Sequence, residues 1–254
     1  MRHGDFTKLA KDYIHRPGYS ARVLRALAAD IGADRAGFAF ADVGAGTGKL
    51  TNDLLALGLR GHAVEPNDAM RAEGVRTCAD PQRVQWRPGQ AEETGLPDAS
   101  VDWLLMGSSF HWTDAPRALQ EFARVLRPGG SFTAVWNPRD LQSSPLHMRI
   151  EARIQALVPG LKRVSSGGAA YTKDLEQTLL AGPFREVMFL EAPHEEHMSV
   201  ERYLGAWRSV NDIQVQAGPE GFEAVMAAIS EEIAGLDVVV VPYRTRAWTV
   251  RRRD

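Results

Sequence analysis

The residues with the clearest potential for chemistry lie in the glycine-rich segment 42–48, whose sequence is DVGAGTG. An apolar stretch, 38–41, precedes this segment and the stretch 49–55 follows it, so the pattern predicts a strand, a glycine turn and a helix. Glycines let the backbone approach a ligand closely, and the first N–H groups of the helix attract an anionic group. The segment is therefore predicted to bind a ligand, although a purely structural corner between strand and helix would fit the same residues.

The spacing of the glycines distinguishes between nucleotide ligands. The dinucleotide fingerprint G-x-G-x-x-G has its third glycine five positions after the first. In this chain the third glycine, Gly48, falls four positions after Gly44, and Lys49 occupies the fifth. A pyrophosphate is therefore a poorer candidate than a nucleoside without phosphates.

A second candidate group follows the next apolar segment. Glu65 ends the segment 61–65 and lies seventeen positions beyond Gly48. An acidic residue about 20 positions after the glycine turn can accept hydrogen bonds from ribose hydroxyls. Glu65 is therefore a candidate ribose ligand, and the alternative is a solvent-facing residue at the end of a strand.

The segment 42–48, together with the loop 89–98 (GQAEETGLPD) and the segment 127–130 (RPGG), resembles motifs of the class I S-adenosylmethionine (SAM) methyltransferases. The resemblance implies that Gly44, Gly46 and Gly48 lie at the amino acid part of SAM, and that Asp42 holds either the turn or the ammonium group. It also implies that residues 90 and 91, Gln90 and Ala91, lie at the adenine. Gln90 replaces the usual Asp, and its amide oxygen can accept the same hydrogen bond from the adenine amino group.

The segment 108–114 follows the fourth predicted strand, where ligands of open α/β sheets bind. Ser108 is a candidate cofactor contact, and His111 and Trp112 are candidates for the acceptor pocket. Because an imidazole titrates near neutrality, His111 could act as the general base that takes a proton from the acceptor. It could equally line the pocket or orient the loop.

Residues 13–19 (YIHRPGY) resemble, with one residue fewer between the tyrosine and the arginine, the Y-x-x-x-R-P-x-Y lead-in of small-molecule methyltransferases such as the trans-aconitate methyltransferase group. The resemblance implies that Tyr13 and Arg16 face the amino acid end of the cofactor, with Arg16 offering a two-pronged contact to a carboxylate.

A predicted helix near 199–210 carries further candidates for the acceptor site, namely Trp207, Arg208 and Asn211. Trp207 and Asn211 would share a helix face because they are four residues apart. An aromatic wall beside an amide suits a small acceptor with one polar group. The alternative is a tryptophan packed against the sheet. Arg16 and Arg208 also suggest an acceptor with a carboxylate.

The elements that must position these residues alternate along the chain. Strands are predicted near 39–43, 61–65, 83–87, 101–106 and 130–136, and helices near 20–31, 48–57, 67–75 and 115–126. This alternation favours a parallel sheet with helices on both faces. In the fold that the chain resembles, 184–190 and 245–250 would be the sixth and seventh strands, with helices near 199–210 and 219–234 between them.

The predicted fold is therefore α/β, a Rossmann-like doubly wound sheet of seven strands with the last strand antiparallel and a helical cap insertion. We expect a single methyltransferase domain over 1–254. Within it we expect an N-terminal lid at 1–31, a SAM-binding core at 36–140, and a cap at 195–240 inserted before the last strand.

The composition predicts a soluble cytoplasmic enzyme. The chain has 254 residues, of which 44% are hydrophobic and 24% charged, and its net charge of −2 argues against nucleic acid as a partner. It has no apolar run of about eighteen residues and no signal-peptide core at its start. Its single cysteine, Cys78, excludes an intrachain disulfide. No metal is expected, and the chain is expected to be a monomer or homodimer.

The sequence thus favours a SAM-dependent methyltransferase that acts on an O, N or C atom of a small molecule, such as a carboxylate-bearing or natural-product intermediate. Two alternatives remain. A SAM-binding cyclase or regulator would share the cofactor motifs. An NAD(P)-dependent oxidoreductase is disfavoured by Lys49 and by the lack of a matching Tyr-x-x-x-Lys pair.

Overall fold

The computed structural model describes residues 7–163 and 172–253. The chain divides into two compact units. The sheet unit comprises Gly18–Asn137, Ser166–Ala192 and Thr245–Asp254, and the helical unit comprises Met1–Pro17, Pro138–Ser165 and Pro193–Arg244. The expected lid, core and cap of a single domain stay predictions.

The strands form one sheet. They are β1 Phe40–Val43, β2 Gly61–Val64, β3 Val84–Arg87, β4 Val101–Gly107, β5 Leu126–Trp136, β6 Phe184–Ser199 and β7 Val238–Arg252. Their order is β3-β2-β1-β4-β5-β7-β6, the pairs from β3 to β5 are parallel, and β7 is antiparallel to β5. The predicted seven-stranded Rossmann-like sheet is therefore confirmed. The strand order reverses between β1 and β4, the position at which open α/β sheets bind ligands.

The α-helices of the described residues lie between these strands. They are α1 Ala10–Tyr13, α2 Ala21–Asp30, α3 Lys49–Ala56, α4 Asp68–Thr77, α5 Ala115–Val125, α6 Pro145–Leu157, α7 Leu175–Leu180, α8 Val200–Arg208 and α9 Asn211–Glu232. Of these, α6 and α7 were not predicted. Gly218, with φ of 68°, interrupts the helical conformation of α9 just before Pro219.

The two faces of the sheet carry separate hydrophobic cores. Alternate residues of β4 point to opposite faces, so Leu104 and Met106 join one core while Trp103 and Leu105 join the other. The first core is covered by α5 and α7 and the second by α2 and α3. Such double coverage explains why the strand is apolar throughout rather than alternating.

The helical unit has its own core. Tyr203 and Trp207 of α8 pack in one apolar cluster with Ile150 and Ile154 of α6 and with Ile213 of α9. Within the described part of the chain, no helix is both long and apolar enough to cross a membrane.

Two boundaries differ from the sequence-based expectation. The fifth strand, predicted near 130–136, begins earlier and includes 127–130 within β5, where Gly129 has φ of 71° and the register against β4 shifts between Val101 and Trp103. The helix predicted near 199–210 ends at Arg208, and a new helix begins at Asn211.

Candidate functional site

The glycine turn follows β1 at the carboxyl edge of the sheet. Gly44, Gly46 and Gly48 have φ of 69°, 57° and 79°, in the left-handed region that favours glycine. The N–H groups of Gly44 and Ala45 donate to the carbonyl of Val64 at 2.8 and 3.1 Å, which fixes the turn to the end of β2. The sequence forms this turn because each left-handed position holds a residue without a Cβ.

The three glycines have different surroundings. A Cβ on Gly44 would lie 2.8 Å from the hydroxyl of Ser109, and one on Gly48 would lie 3.0 Å from the ring of Trp86. A Cβ on Gly46 would meet only the terminal methyl of Met70, at 3.3 Å, among described atoms within 4 Å. Gly44 and Gly48 therefore permit close packing, while Gly46 leaves room in which a ligand could approach the backbone.

Glu65 is tied directly to the turn. Its Oε2 accepts a hydrogen bond from the N–H of Gly46 at 2.8 Å, and its Oε1 accepts one from the N–H of Asn67 at 2.8 Å. Burial raises the pKa of Glu65, and these two hydrogen bonds and the charge of Arg71 oppose the increase. Each carboxylate oxygen can accept a second hydrogen bond. The geometry is compatible with the predicted ribose contact.

Asp42 is enclosed beneath the turn. Its Oδ2 accepts a hydrogen bond from the hydroxyl of Thr51 in α3 at 2.6 Å, while Oδ1 is buried without a hydrogen-bond partner. Burial raises the pKa of Asp42 to about 7, and the charges of Glu65 and Asp53 add to the increase. Of the two predicted roles, this geometry favours holding the turn to α3 over binding an ammonium group.

The loop after β3 presents Gln90 and Ala91. Gln90 is exposed and Ala91 is buried. The backbone of Gln90 exchanges two hydrogen bonds of 3.1 Å with that of Glu93, which closes a small turn. The hydroxyl of Thr94 donates to Glu121 of α5 at 2.6 Å and anchors the end of that turn. The predicted adenine contacts of Gln90 and Ala91 stay predictions.

The loop after β4 lies beside the glycine turn. Ser108 has φ of 54°, an uncommon value for a residue other than glycine, and its N–H donates to the carbonyl of Val135 at 2.7 Å. Its hydroxyl accepts a hydrogen bond from the phenol of Tyr19 at 3.1 Å. Ser109 donates its hydroxyl proton to the carbonyl of Val43 at 3.3 Å, so this loop contacts the last residue of β1.

His111 is partly buried behind Trp112. Its Nδ1 accepts a hydrogen bond from the indole N–H of Trp136 at 3.3 Å, and its ring centroid lies 4.8 Å from that of Trp112. Burial lowers the pKa of His111 to about 4, so the imidazole is neutral at pH 7. A group with this pKa is a weak proton acceptor at neutral pH. The geometry favours a pocket-lining or orienting role over that of a general base.

Tyr13 and Arg16 belong to the helical unit. The guanidinium of Arg16 donates to the hydroxyl and carbonyl oxygens of Ser209 at 2.5 and 3.0 Å, and it lies 5.0 Å from the ring centroid of Tyr13. Arg16 thus binds the residue that ends α8. The predicted contacts of Tyr13 and Arg16 with the cofactor stay predictions.

The three acceptor candidates near the end of α8 are in different environments. Trp207 and Asn211 are buried, whereas Arg208 is exposed. Trp207 lies in the core of the helical unit. Their roles in acceptor binding stay predictions.

Sequence reasoning did not select several neighbours of the glycine turn. Tyr19 packs on the end of β4, where a Cβ on Gly107 would lie 2.6 Å from its hydroxyl. Met70 borders the space at Gly46, and Ser109 fills the space at Gly44. The resemblance at 13–19 contained a signal for Tyr19, but no local pattern marks Met70 or Ser109. Across residues 7–163 and 172–253, no three His, Cys, Asp or Glu side chains cluster as a metal site would require.

The fold is an α/β sheet of the Rossmann-like type, and its glycine turn lies at the carboxyl edge of the sheet, where open α/β sheets bind ligands. Residues 41–134 match the family model of the methyltransferase domain. This match covers less than half of the chain, and over these residues the predicted resemblance to the methyltransferases is confirmed.

Known proteins resemble this chain over different lengths. An uncharacterized methyltransferase of Mycobacterium tuberculosis (strain ATCC 25618 / H37Rv) is 50% identical over 99 residues, which are 39% of this chain and 40% of that protein. The ubiquinone/menaquinone biosynthesis C-methyltransferase of Rubrivivax gelatinosus is 39% identical over 103 residues, 39% of each chain. The aligned part of the chain thus spans about two fifths of the length of these curated relatives.

Solved structures resemble nearly the whole chain. A candidate type II methyltransferase from Anaeromyxobacter dehalogenans superimposes with a TM-score of 0.67 at 24% identity, covering 93% of this chain and 97% of that one. Phosphoethanolamine N-methyltransferase 2 of Haemonchus contortus, in complex with S-adenosyl-L-methionine, gives a TM-score of 0.52 at 16% identity, covering 94% and 54%. These likenesses show that the chain shares the fold of these proteins.

Proposed function

We propose that the protein transfers a methyl group from SAM to an O, N or C atom of a small-molecule acceptor. The observation that supports this most is the turn at Gly46. There the backbone is left-handed, only the flexible terminal methyl of Met70 borders the Cβ position among described atoms, and the N–H is bonded to the buried carboxylate of Glu65. A side chain at that position would occupy the space a nucleoside needs.

The residues present fit SAM. The open space at Gly46 admits the amino acid part of the cofactor, and the spare acceptor positions of Glu65 suit two ribose hydroxyls. Gln90 can accept from the adenine amino group, and Ser108, beside the turn, completes the proposed cofactor contacts in the sheet unit. When bound, SAM would supply an electrophilic methyl group on a sulfonium.

The protein's own contribution to methyl transfer is positioning and the exclusion of water. His111 is held by Trp136 and is neutral, so it would orient the acceptor or support the pocket wall. Trp112 is 47% exposed beside it and offers an aromatic surface to the acceptor. Proton removal, where the acceptor needs it, would then fall to water or to the acceptor itself.

A small molecule fits the chain better than a nucleic acid. The net charge is −2, which provides no overall attraction to phosphate backbones. A cytoplasmic location, and a monomeric or homodimeric state, complete the proposal.

The mass of the product tests methyl transfer. The purified protein would be incubated with methyl-deuterated SAM and a small-molecule extract freed of macromolecules. We expect S-adenosylhomocysteine to form together with a compound heavier by one deuterated methyl group. Cyclisation of a compound in the extract with SAM left unchanged would point to a cyclase, and SAM bound with no change in the extract would point to a regulator.

A further inference from the structure

We propose that the helical unit contains a subsite for a terminal oxyanion, a carboxylate or a phosphate monoester, centred on the guanidinium of Arg139. The subsite is a feature of this unit alone. Only the statement that the bound anion is part of the methyl acceptor rests on the proposed function.

Arg139 is held as a cation without a counter-ion. Its guanidinium carbon lies 3.9 Å from the ring centroid of Trp207, and its side chain donates a hydrogen bond to Tyr243. Among the residues that the structure describes, no carboxylate lies within ion-pair distance of Arg139, and Glu151 acts on it only through longer-range electrostatics. Arg139 as a residue is partly exposed, while its guanidinium is desolvated by burial.

Two other partly buried arginines of the helical unit, Arg163 and Arg202, have carboxylate partners, while Arg16 donates to the hydroxyl and carbonyl oxygens of Ser209. Arg163 lies 5.8 Å from the same indole ring, but its guanidinium contacts Glu151 at 3.1 Å and Asp212 at 3.2 Å. Arg202 contacts Glu196 at 2.8 Å. A cation stacked on an aromatic ring is therefore neutralised at Arg163 and left unneutralised at Arg139.

Hydrogen-bond donors lie next to Arg139. The indole N–H of Trp207 and the hydroxyl of Tyr203 are buried and interact with each other, and neither has a hydrogen-bond partner among the other described residues. The rings of Tyr203 and Trp207 meet edge to face at 6.3 Å, and that of Tyr203 meets His147 at 5.8 Å. Buried donors without acceptors each cost about 1–3 kcal/mol, so such groups in one cluster need an explanation.

His147 adds a further donor to this cluster. The hydroxyl of Ser144 accepts the backbone N–H of His147 and lies 2.7 Å from its Nδ1, and the tautomer in which the hydroxyl donates to Nδ1 has its ring proton on Nε2. Burial and the charge of Arg139 lower the pKa of His147 to about 4, so the ring is neutral at pH 7. Its Nε2 is buried without a partner.

The chemistry of the cluster identifies the ligand. Guanidinium, indole N–H, phenol and imidazole N–H all donate hydrogen bonds, and the first is permanently charged. An oxyanion would neutralise Arg139 and would supply the acceptor atoms that this cluster lacks. A neutral ligand could supply acceptor atoms but would leave Arg139 unneutralised, and a cationic ligand would do neither. The sequence suggested an acceptor with a carboxylate because of Arg16 and Arg208, but Arg16 binds Ser209 and Arg208 is exposed. The cluster around Arg139 is now the basis for that suggestion.

Indole resonances provide a direct test. The full chain contains six tryptophans, and the Nε1–H signal of Trp207 can be assigned with a Trp207→Phe variant. Saturated with S-adenosylhomocysteine in chloride-free buffer, the ¹⁵N-labelled protein would be titrated with acetate, benzoate, succinate, citrate, phenyl phosphate and benzamide. Benzamide matches benzoate in shape but carries no charge.

We expect at least one oxyanion to move the Trp207 signal downfield in a saturable way, whereas benzamide leaves it in place. Arg139→Gln should weaken that binding at least about tenfold, and Arg139→Lys by less, because charge without the planar fork keeps part of the contact. Arg163→Gln is the matched control and should retain the affinity. Binding of the carboxylates would identify a carboxylate subsite, and binding of phenyl phosphate would identify a phosphate monoester subsite.

The subsite is overturned by any of three results: no oxyanion shifts the signal, benzamide shifts it equally, or Arg139→Gln binds like the parent protein. SAM binding is measured separately on the same samples. A protein that binds SAM but no oxyanion would retain the proposed function and lose the subsite, whereas the reverse would retain the subsite alone.

Discussion

At the scale of single residues, the glycines of the turn have unequal roles. Ser109 and Trp86 fill the spaces beside Gly44 and Gly48, while the space at Gly46 is open. We predict that Gly46→Arg abolishes SAM binding in calorimetry, because its side chain enters the cofactor space. Circular dichroism should show that the variant is folded.

Gly58→Arg is the matched control for that variant. Gly58 is exposed, has φ of 84°, and has open space at its Cβ position, so the substitution imposes similar backbone strain away from the turn. We expect it to retain SAM affinity. Binding by Gly46→Arg at the level of Gly58→Arg would contradict the assignment of the turn.

His111 gives a prediction for the pH dependence of the rate. Because burial lowers its pKa to about 4, its charge does not change between pH 6 and 8. The pH profiles of kcat for the parent protein and His111→Asn should therefore run parallel across that range. An inflection near pH 7 that disappears in His111→Asn would instead identify His111 as the general base.

Asp42 gives a prediction for stability. Its pKa is raised to about 7 in the folded state from 3.8, so its protonated form is favoured on folding. The favourable contribution is fully present below pH 3.8 and is lost as pH rises through about 7. Within this window the free energy of unfolding should fall by about 1.4 kcal/mol per pH unit relative to Asp42→Asn.

Urea unfolding of both proteins from pH 5 to 8 measures this difference. Asp30→Asn is the control, since Asp30 is an exposed partner of Arg251 and should show no such trend. A constant difference between the parent protein and Asp42→Asn across the range would mean that Asp42 is ionised throughout.

At the scale of elements, the amino ends of β1 and β4 are joined by Asp102. This carboxylate is 4% exposed, accepts the N–H of Ala39 at 2.9 Å, and pairs with Arg35 at 2.6 Å and Arg127 at 2.5 Å. We predict that Asp102→Ala lowers the free energy of unfolding by about 3 kcal/mol and leaves SAM affinity unchanged.

Arg35→Ala is the comparison, because Arg35 is 51% exposed and its loss should cost at most about 1 kcal/mol. Denaturant unfolding provides both values. Equal effects of the two substitutions would show that the buried carboxylate does not link these strands, and a loss of SAM affinity in Asp102→Ala would show that its effect reaches the binding edge.

Most elements around the site were predictable from local pattern. Strands β1 to β5 and helices α2 to α5 lie within a few residues of their predictions, because apolar runs separated by glycine and proline turns mark them well. Helix α6 was missed although Ser144 caps it and Pro145 occupies its first turn, a recognisable start signal.

The last two strands are longer than predicted. β6 extends to Ser199 through a charged, partly exposed segment, as edge strands often do, and β7 begins at Val238 and contains Pro242. Charged residues and proline are poor strand signals in a single sequence, so the pattern predicted both β6 and β7 too short.

At the scale of the whole molecule, the cofactor candidates were easier to predict than the acceptor candidates. Gly46 and Glu65 are joined by a hydrogen bond across nineteen positions, as the motif spacing anticipates. Tyr19, Met70 and Arg139 gain their surroundings from contacts distant in sequence, which no local pattern encodes. The segment that aligns with the curated relatives spans only about two fifths of their length. The acceptor must therefore be identified by experiment.

The measurement that tests the central claim most directly is calorimetric titration of the purified protein with SAM, S-adenosylhomocysteine and NADH. The account predicts micromolar binding of the two sulfur nucleosides and none of NADH, because Lys49 stands where a dinucleotide turn needs glycine. Binding of NADH alone would contradict the account and would move the search for a function to redox substrates.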